Sequence, residues 1–163
     1  MVHGFRVWQG VAGGLLLMAV CGTGLARGEA GMVSRHARGT FTVNVIALSP
    51  PPAEGLSRYS INKEVHGDLE ATTRGEMFSA GDPQKGAAGY VAIEVVTGVL
   101  LGKRGSFAMG QHATIDASGR KMTVFVVPGS GTGELTGIGG TLTITIADGV
   151  HSYDLEYSLP GDN

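Results

Sequence analysis

The stretch "TLTITIADGVHSYDLEYSL", residues 141–159, contains the pattern that decides the fold. Apolar side chains alternate with threonine in its first half, and with serine and acidic residues in its second half. A period of two is typical of strands with one face buried and the other in water. Between the halves lies Asp148-Gly149, a dipeptide that tolerates the positive φ angles of a tight hairpin turn. The stretch therefore predicts two antiparallel strands joined by a two-residue turn.

The same alternation recurs from residue 40 onward, beginning with "FTVNV" at 41–45. The chain has 28 glycines and only 16% charged residues, which favours many short strands connected by tight turns. The sequence predicts about eight strands and no long amphipathic helix. We therefore expect an all-β domain over residues 40–160, an eight-stranded antiparallel β-barrel, with a sandwich as the alternative. Loops or reversals are expected at residues 49–55, 80–86, 98 and 116–119.

Two strands break the alternation, because "YVAIEVV" at 90–96 and "MTVFVV" at 122–127 are apolar on both faces. A strand with water on one side would not have this composition. Something is therefore expected to cover its outer face. The cover is either a second copy of the chain, as in a homo-oligomer, or a long loop folded over the barrel.

The N-terminal residues 1–30 have the pattern of a signal peptide. Basic residues precede an apolar run at 11–26 that is short and glycine-rich for a membrane span. We expect export to the periplasm or the medium, no membrane span after cleavage, and a flexible lead-in at 31–39. The only cysteine, Cys21, lies inside this leader, and the β-branched Val20 before it disfavours lipid attachment.

The glycine-rich stretch "VVPGSGTGELTGIGGTLTI", residues 126–144, raises the question of a nucleotide site. Its glycines are spaced one residue too long for a dinucleotide fingerprint, and a strand follows where a helix is needed. The lysine of a Walker loop is also missing. The glycines are therefore expected to let the backbone bend at a barrel corner. With a net charge of -2 and no basic cluster, nucleic acid is excluded as a partner.

Several segments resemble the bacterial DUF3224 family: residues 89–113, 126–140 and 153–159, and more loosely 62–81. The resemblance covers residues 39–159 and implies an allene oxide cyclase-like barrel. The segment "GSGTGELTGIGG" is also similar to the "GGTG" segment of plant allene oxide cyclases and dirigent proteins. No activity follows from the resemblance, because the family has none that could be transferred.

Glu94 is the first candidate catalytic residue, since it stands in an apolar run on the same face as Tyr90 and Ala92. A carboxylate in such surroundings must be paired, hydrogen-bonded or protonated. It is predicted either to act as an acid or base, with Tyr90 contacting a ligand, or to lie at the rim paired with Lys103 or Arg104.

His112 is the second candidate, and it matches a histidine of the resembled family. It shares a face with Ser106, Ala108 and Gly110, and these small residues are predicted to line a lumen that holds a ligand. The alternative is a structural histidine bonded to a carbonyl group. Glu134 is predicted either to bind the ligand or to fix the glycine-rich corner through backbone amides.

Three functions remain open at this point. The first is an exported barrel that binds a small apolar ligand, the second a cofactor-free cyclase or isomerase using Glu94 and His112, and the third an interaction module with a filled barrel. No histidine spacing typical of a metal site appears, so neither a metal nor a cofactor is predicted.

Overall fold

The computed structural model describes residues 33–161; the predicted signal peptide and Cys21 lie outside the described residues. Almost all of the described chain is β-structure, with two single-turn 3-10 helices at Pro83–Lys85 and Gly133–Leu135. The strands are β1 (Arg35–Leu48), β2 (Leu56–Gly67), β3 (Leu69–Asp82), β4 (Ala87–Leu100), β5 (Lys103–Asp116), β6 (Gly119–Val126), β7 (Gly139–Ala147) and β8 (Val150–Ser158).

Each strand pairs antiparallel with the next along the chain, and β1 pairs with β8, so the sheet closes on itself. This confirms the predicted eight-stranded antiparallel barrel. The hairpin between β7 and β8 is also confirmed, since Asp148 and Gly149 have φ angles of 51° and 78°. Across the closing seam, His36 and Arg38 of β1 bond to the carboxylate of Asp154 on β8.

Two local predictions are wrong. Residues 35–39, predicted as part of a loose lead-in, belong to β1, where the inward Ala37 is fully buried between outward polar neighbours. Gly98, predicted as a reversal, lies inside the straight strand β4. A Cβ there would lie 2.6 Å from the Cα of Ala71 on β3, so this glycine permits close strand packing rather than a turn. The chain reverses instead at Leu101 and Gly102, both with positive φ.

One half of the lumen is packed solid with apolar side chains. The glycine-rich loop, residues 127–138, closes this end, because its Leu135 and Ile138 are buried in the core. Gly131 within the loop lies so close to the backbone that a Cβ would be 2.1 Å from the carbonyl oxygen of Leu135. The prediction that these glycines serve backbone geometry therefore holds. The largest buried side chains at this end are those of Leu69, Leu100, Phe107, Leu135, Ile138 and Leu155.

Candidate functional site

The other half of the barrel forms an open cup, a cavity of about 370 Å³. Small residues at the ends of the strands, such as Ser57, Ser79 and Ala88, leave this space unfilled. Val45 and Ile146 line the cup yet are about half exposed, so solvent reaches the cavity. The remaining wall is mainly apolar and includes Phe41, Val43, Tyr59, Ile61, Met77, Tyr90, Ile115, Met122 and Ile144.

A buried ion pair lies at the level where the cup gives way to the packed half. Lys63 of β2 donates to Oε1 of Glu94 on β4, and their side chains are only 6% and 1% exposed. Thr73 of β3 donates to the other carboxylate oxygen, Oε2, at 2.6 Å. The Lys63 ammonium also stands 5.4 Å from the centre of the Phe41 ring. These groups satisfy one another, as buried charges must.

Beneath the ion pair the packing leaves little room. A second cavity there has a volume of only about 20 Å³, the size of one water molecule. Val65, Leu69 and Val96 are among the side chains around it. Lys63 faces both cavities, whereas Glu94 is absent from the lining of either. The ion pair therefore belongs to the floor of the cup, with Lys63 as its accessible member.

A polar group on the cup wall is incompletely bonded. Gln111 of β5 donates from Nε2 to the hydroxyl of Tyr90 and, at 3.4 Å, to the sulfur of Met122. The Tyr90 hydroxyl donates to the same sulfur at 3.4 Å. Gln111 is 8% exposed, and its Oε1 has no hydrogen-bond partner among the described residues. A buried acceptor without a donor costs about 1–3 kcal/mol.

The barrel wall is less tightly closed at the seam between β6 and β7. Strands β6 and β7 share a single register pair, Phe125 with Thr141, whereas neighbouring pairs of strands match over seven or more residues. Arg120 and Met122 lie both in the cup and in the groove along this seam. Arg120 is exposed, and its charge has no carboxylate counterpart in the cup lining.

A family model described as "Protein of unknown function (DUF3224)" matches residues 37–157. The chain belongs to the DUF3224 family. A crystal structure of a DUF3224 protein of unknown function from Shewanella oneidensis MR-1 is 37% identical, with a TM-score of 0.71. The alignment covers 78% of this chain and 98% of that one. No curated protein matches the sequence.

In this DUF3224 barrel, Glu94 and Tyr90 both point into the lumen, on the face where the alternation placed them. Tyr90 lines the cup. The expected rim position of Glu94 beside Lys103 or Arg104 is wrong, because the carboxylate is buried and bonded to Lys63 and Thr73. Roles of Glu94 in catalysis and of Tyr90 in ligand binding remain predictions.

His112, Ser106 and Ala108 lie on the outer face of β5, so the prediction that this face lines the lumen is wrong. The inward residues of β5 include Phe107, Met109, Gln111, Ala113 and Ile115. The small outward side chains make room for the glycine-rich loop instead. Ser106 bonds to Thr132 at 2.7 Å, and the amide of Ala108 donates to Ser130 at 3.0 Å. Exposed His112 therefore cannot meet Glu94 across the barrel wall.

Glu134 also lies away from the cup, at the closed end of the barrel. Its carboxylate accepts a hydrogen bond of 2.8 Å from the backbone amide of Arg104. This agrees with the alternative in which Glu134 fixes the glycine-rich corner. The structure gives it no place beside a ligand in the cup.

The inward polar residues Lys63 and Gln111 were missed from the sequence, although a signal for each exists. Lys63 alternates with Ile61 and Val65, so it belongs to the inward face and requires a buried partner. Gln111 alternates with Met109 in the same way. Both signals depend on choosing the correct face of each strand, since a shift of one residue reverses every side chain.

Perturbed pKa values mark structural contacts rather than the cup. Burial raises the pKa of the Tyr153 hydroxyl. This hydroxyl accepts a hydrogen bond of 3.0 Å from the Leu69 amide in the packed half of the barrel. The hydrogen bond from His36 and the contact with Arg38 lower the pKa of Asp154 at the closing seam. Residues 33–161 contain no cluster of three or more side chains suited to a metal ion. The same part of the chain has no helix long and apolar enough to cross a membrane.

Proposed function

We propose that this protein binds a small, largely apolar molecule in the open cup. The observation that supports the proposal is the cavity of about 370 Å³, walled mainly by aliphatic and aromatic side chains and open to solvent. Small barrels are often filled by their own side chains, so an unfilled half suggests a use. At roughly 30 Å³ per non-hydrogen atom, the cup takes a ligand of about a dozen such atoms.

The Gln111 amide oxygen, which has no partner among the described residues, favours a ligand that has one hydrogen-bonding end. Oε1 has almost no solvent-accessible surface, so a ligand hydroxyl that donates to it requires a small shift of the Gln111 side chain toward the cup. The hydrogen bonds that Nε2 donates to Tyr90 and Met122 fix the orientation of the amide, so the ligand must supply the donor. The chemical class proposed is therefore an alkyl or aryl alcohol of about a dozen non-hydrogen atoms.

Decanol tests the proposal by titration calorimetry, with a methyl ether of equal length as the matched probe without a donor. We expect saturable binding with one site per chain and about tenfold weaker binding of the ether. The Ser79→Trp variant fills the cup and should abolish binding. Thr72→Trp, on the outward face of the same strand, should leave it unchanged. Absence of saturable decanol binding, or equal binding by the Ser79→Trp variant, would contradict the proposal.

The cyclase or isomerase alternative loses its acid and base pair, because Glu94 and His112 lie on opposite faces of the wall. Glu94 is also engaged by Lys63 and Thr73. The filled-barrel alternative describes the closed half only. Binding without chemistry is therefore the function proposed.

Export of the protein is a further part of the proposal, supported by the leader pattern at residues 1–30. The full reading frame is expressed in an exporting bacterium and the intact mass of the periplasmic or secreted product is measured. A product that lacks about 30 N-terminal residues is expected. Recovery of the uncleaved chain from the cytoplasm alone would contradict it.

A further inference from the structure

The outward faces of β3 to β6 carry an apolar patch. On β4, Val91, Ile93 and Val95 are 56%, 64% and 48% exposed. Phe78 on β3 stands opposite Val91, and Phe125 on β6 lies over Gly110, which is opposite Ile93. These five large side chains, Phe78, Val91, Ile93, Val95 and Phe125, are defined as the outer patch.

The rest of the barrel surface differs in chemistry. Outward positions of β7 hold Thr141, Thr143 and Thr145, and those of β8 hold Val150 followed by Ser152, Asp154, Glu156 and Ser158. Large apolar side chains exposed side by side on adjacent strands are therefore found on β3 to β6, whereas Ile46, Leu56 and Val150 are exposed singly on β1, β2 and β8. Large contiguous apolar patches on soluble proteins mark interaction sites.

The glycine-rich loop does not cover the outer patch. It packs on the other end of β5, where Ser130 and Thr132 bond to Ala108 and Ser106. The sequence left two possible covers open, a long loop and a second copy of the chain. The glycine-rich loop covers only this end of β5. Val91, Ile93 and Val95 keep their exposure within the described residues.

We propose that a second copy of this chain covers the outer patch, in a dimer whose two-fold axis passes near Ile93. The outward residues 91, 93 and 95 of β4 are valine, isoleucine and valine, an order that is identical from either end of the strand. A two-fold axis at Ile93 therefore brings Val91 against Val95 of the partner subunit. Such self-complementarity is what an isologous interface requires. It favours a second copy over an unrelated protein.

The area of the patch is compatible with a reversible dimer. The five side chains expose roughly 450 Å² in total, more than half of the ~800 Å² that each partner contributes to a standard interface. The polar rim supplies the remainder. On β3, Glu76 stands beside Ile93, joined to Arg58 by a bidentate ion pair, and Arg74 stands beside Val95, so the contact also includes charged groups.

Sedimentation velocity over a dilution series tests the dimer, using the full chain as produced by the exporting host and its intact mass as reference. The wild-type protein should sediment as a dimer that dissociates on dilution. Ile93→Lys places two like charges at the axis and should weaken dimerisation about 100-fold or more. Thr143→Lys, on the polar face of β7, is the matched control and should remain dimeric.

Mixing Ile93→Lys with Ile93→Glu should restore the dimer, because unlike charges then meet at the axis. The outward position of residue 93 leaves the core intact, so all variants should keep the wild-type circular dichroism spectrum, and a dissociated variant should lose only the stabilisation that dimerisation provides. A wild-type monomer at every concentration, or a dimer unaffected by Ile93→Lys, would overturn the proposal. Two other results would also overturn the proposal. One is binding of a monomer to phosphatidylcholine vesicles through the outer patch, and the other is burial of the outer patch by residues 1–32 in an uncleaved monomer.

Discussion

Removing one partner of the Lys63–Glu94 pair should be among the most damaging single substitutions in the lumen. In Lys63→Met, the Glu94 carboxylate keeps only Thr73 as a partner in surroundings where it is 1% exposed. Breaking a buried ion pair in this way costs about 3–5 kcal/mol of unfolding free energy. With an unfolding entropy of about 2.1 cal/mol/K per residue over the described chain, the melting temperature should fall by about 10–20 °C.

The double variant Lys63→Met/Glu94→Met should recover most of this loss, since apolar side chains of similar volume replace both charges. Urea unfolding followed by circular dichroism gives the free energies of the wild type, both single variants and the double variant, from which the coupling energy is obtained. We expect the double variant within about 1–2 kcal/mol of the wild type, because the Thr73 hydroxyl loses its acceptor. Single variants that lose less than about 1 kcal/mol, or additive losses in the double variant, would refute the reasoning.

Three further predictions concern the barrel wall. His36 and Arg38 lower the pKa of Asp154 below its usual 3.8. The contacts of Asp154 therefore stabilise the fold above that pH, and this stabilisation is lost as the pH falls through the folded-state pKa. Melting curves from pH 2.5 to 6 should show a shallower acid decline for Asp154→Asn. Gly98→Ala should lower the free energy of unfolding in urea by about 3 kcal/mol, because its Cβ would lie 2.2 Å from the carbonyl oxygen of Glu70. The control Gly102→Ala should lower it by only about 1 kcal/mol, because its only cost is the positive φ. Tyr153→Phe should cost about 1–3 kcal/mol and speed hydrogen exchange of the Leu69 amide, which loses its acceptor.

The fold was largely predictable because its signals are local. Alternation in residues 141–159 and the Asp148-Gly149 turn specify a hairpin without reference to the rest of the chain. The failures at residues 35–39 and at Gly98 arise from long-range contacts. Pairing with β8 recruits the polar start of β1, and close approach of β3 requires a glycine in mid-strand. Neither partner is visible in the local pattern.

The site was less predictable because it depends on which face of each strand turns inward. For Glu94 the sequence left open an inward position on the face of Tyr90 and Ala92 and a rim position beside Lys103 or Arg104, and the structure shows the inward one, where Lys63 and Thr73 supply its partners. On β5 the small residues Ser106 and Ala108 suggested room for a ligand, but the room is occupied by the glycine-rich loop outside the barrel. Space between side chains is a property of the assembled barrel, and residue size along one strand does not report it.

The buried charges also explain why the barrel is divided into a packed half and an open cup. Lys63, Thr73 and Glu94 come from three adjacent strands, and their mutual bonds exist in only one register of β2, β3 and β4. A slip of one residue would turn both charges to the outer surface, and on β2 it would also bring Asn62 and Glu64 into the lumen. Apolar contacts alone would tolerate such shifts better, because they have no direction. The ion pair therefore holds the inward faces in place at the level where bulky side chains give way to small ones, and the cup exists above a floor whose register is specified.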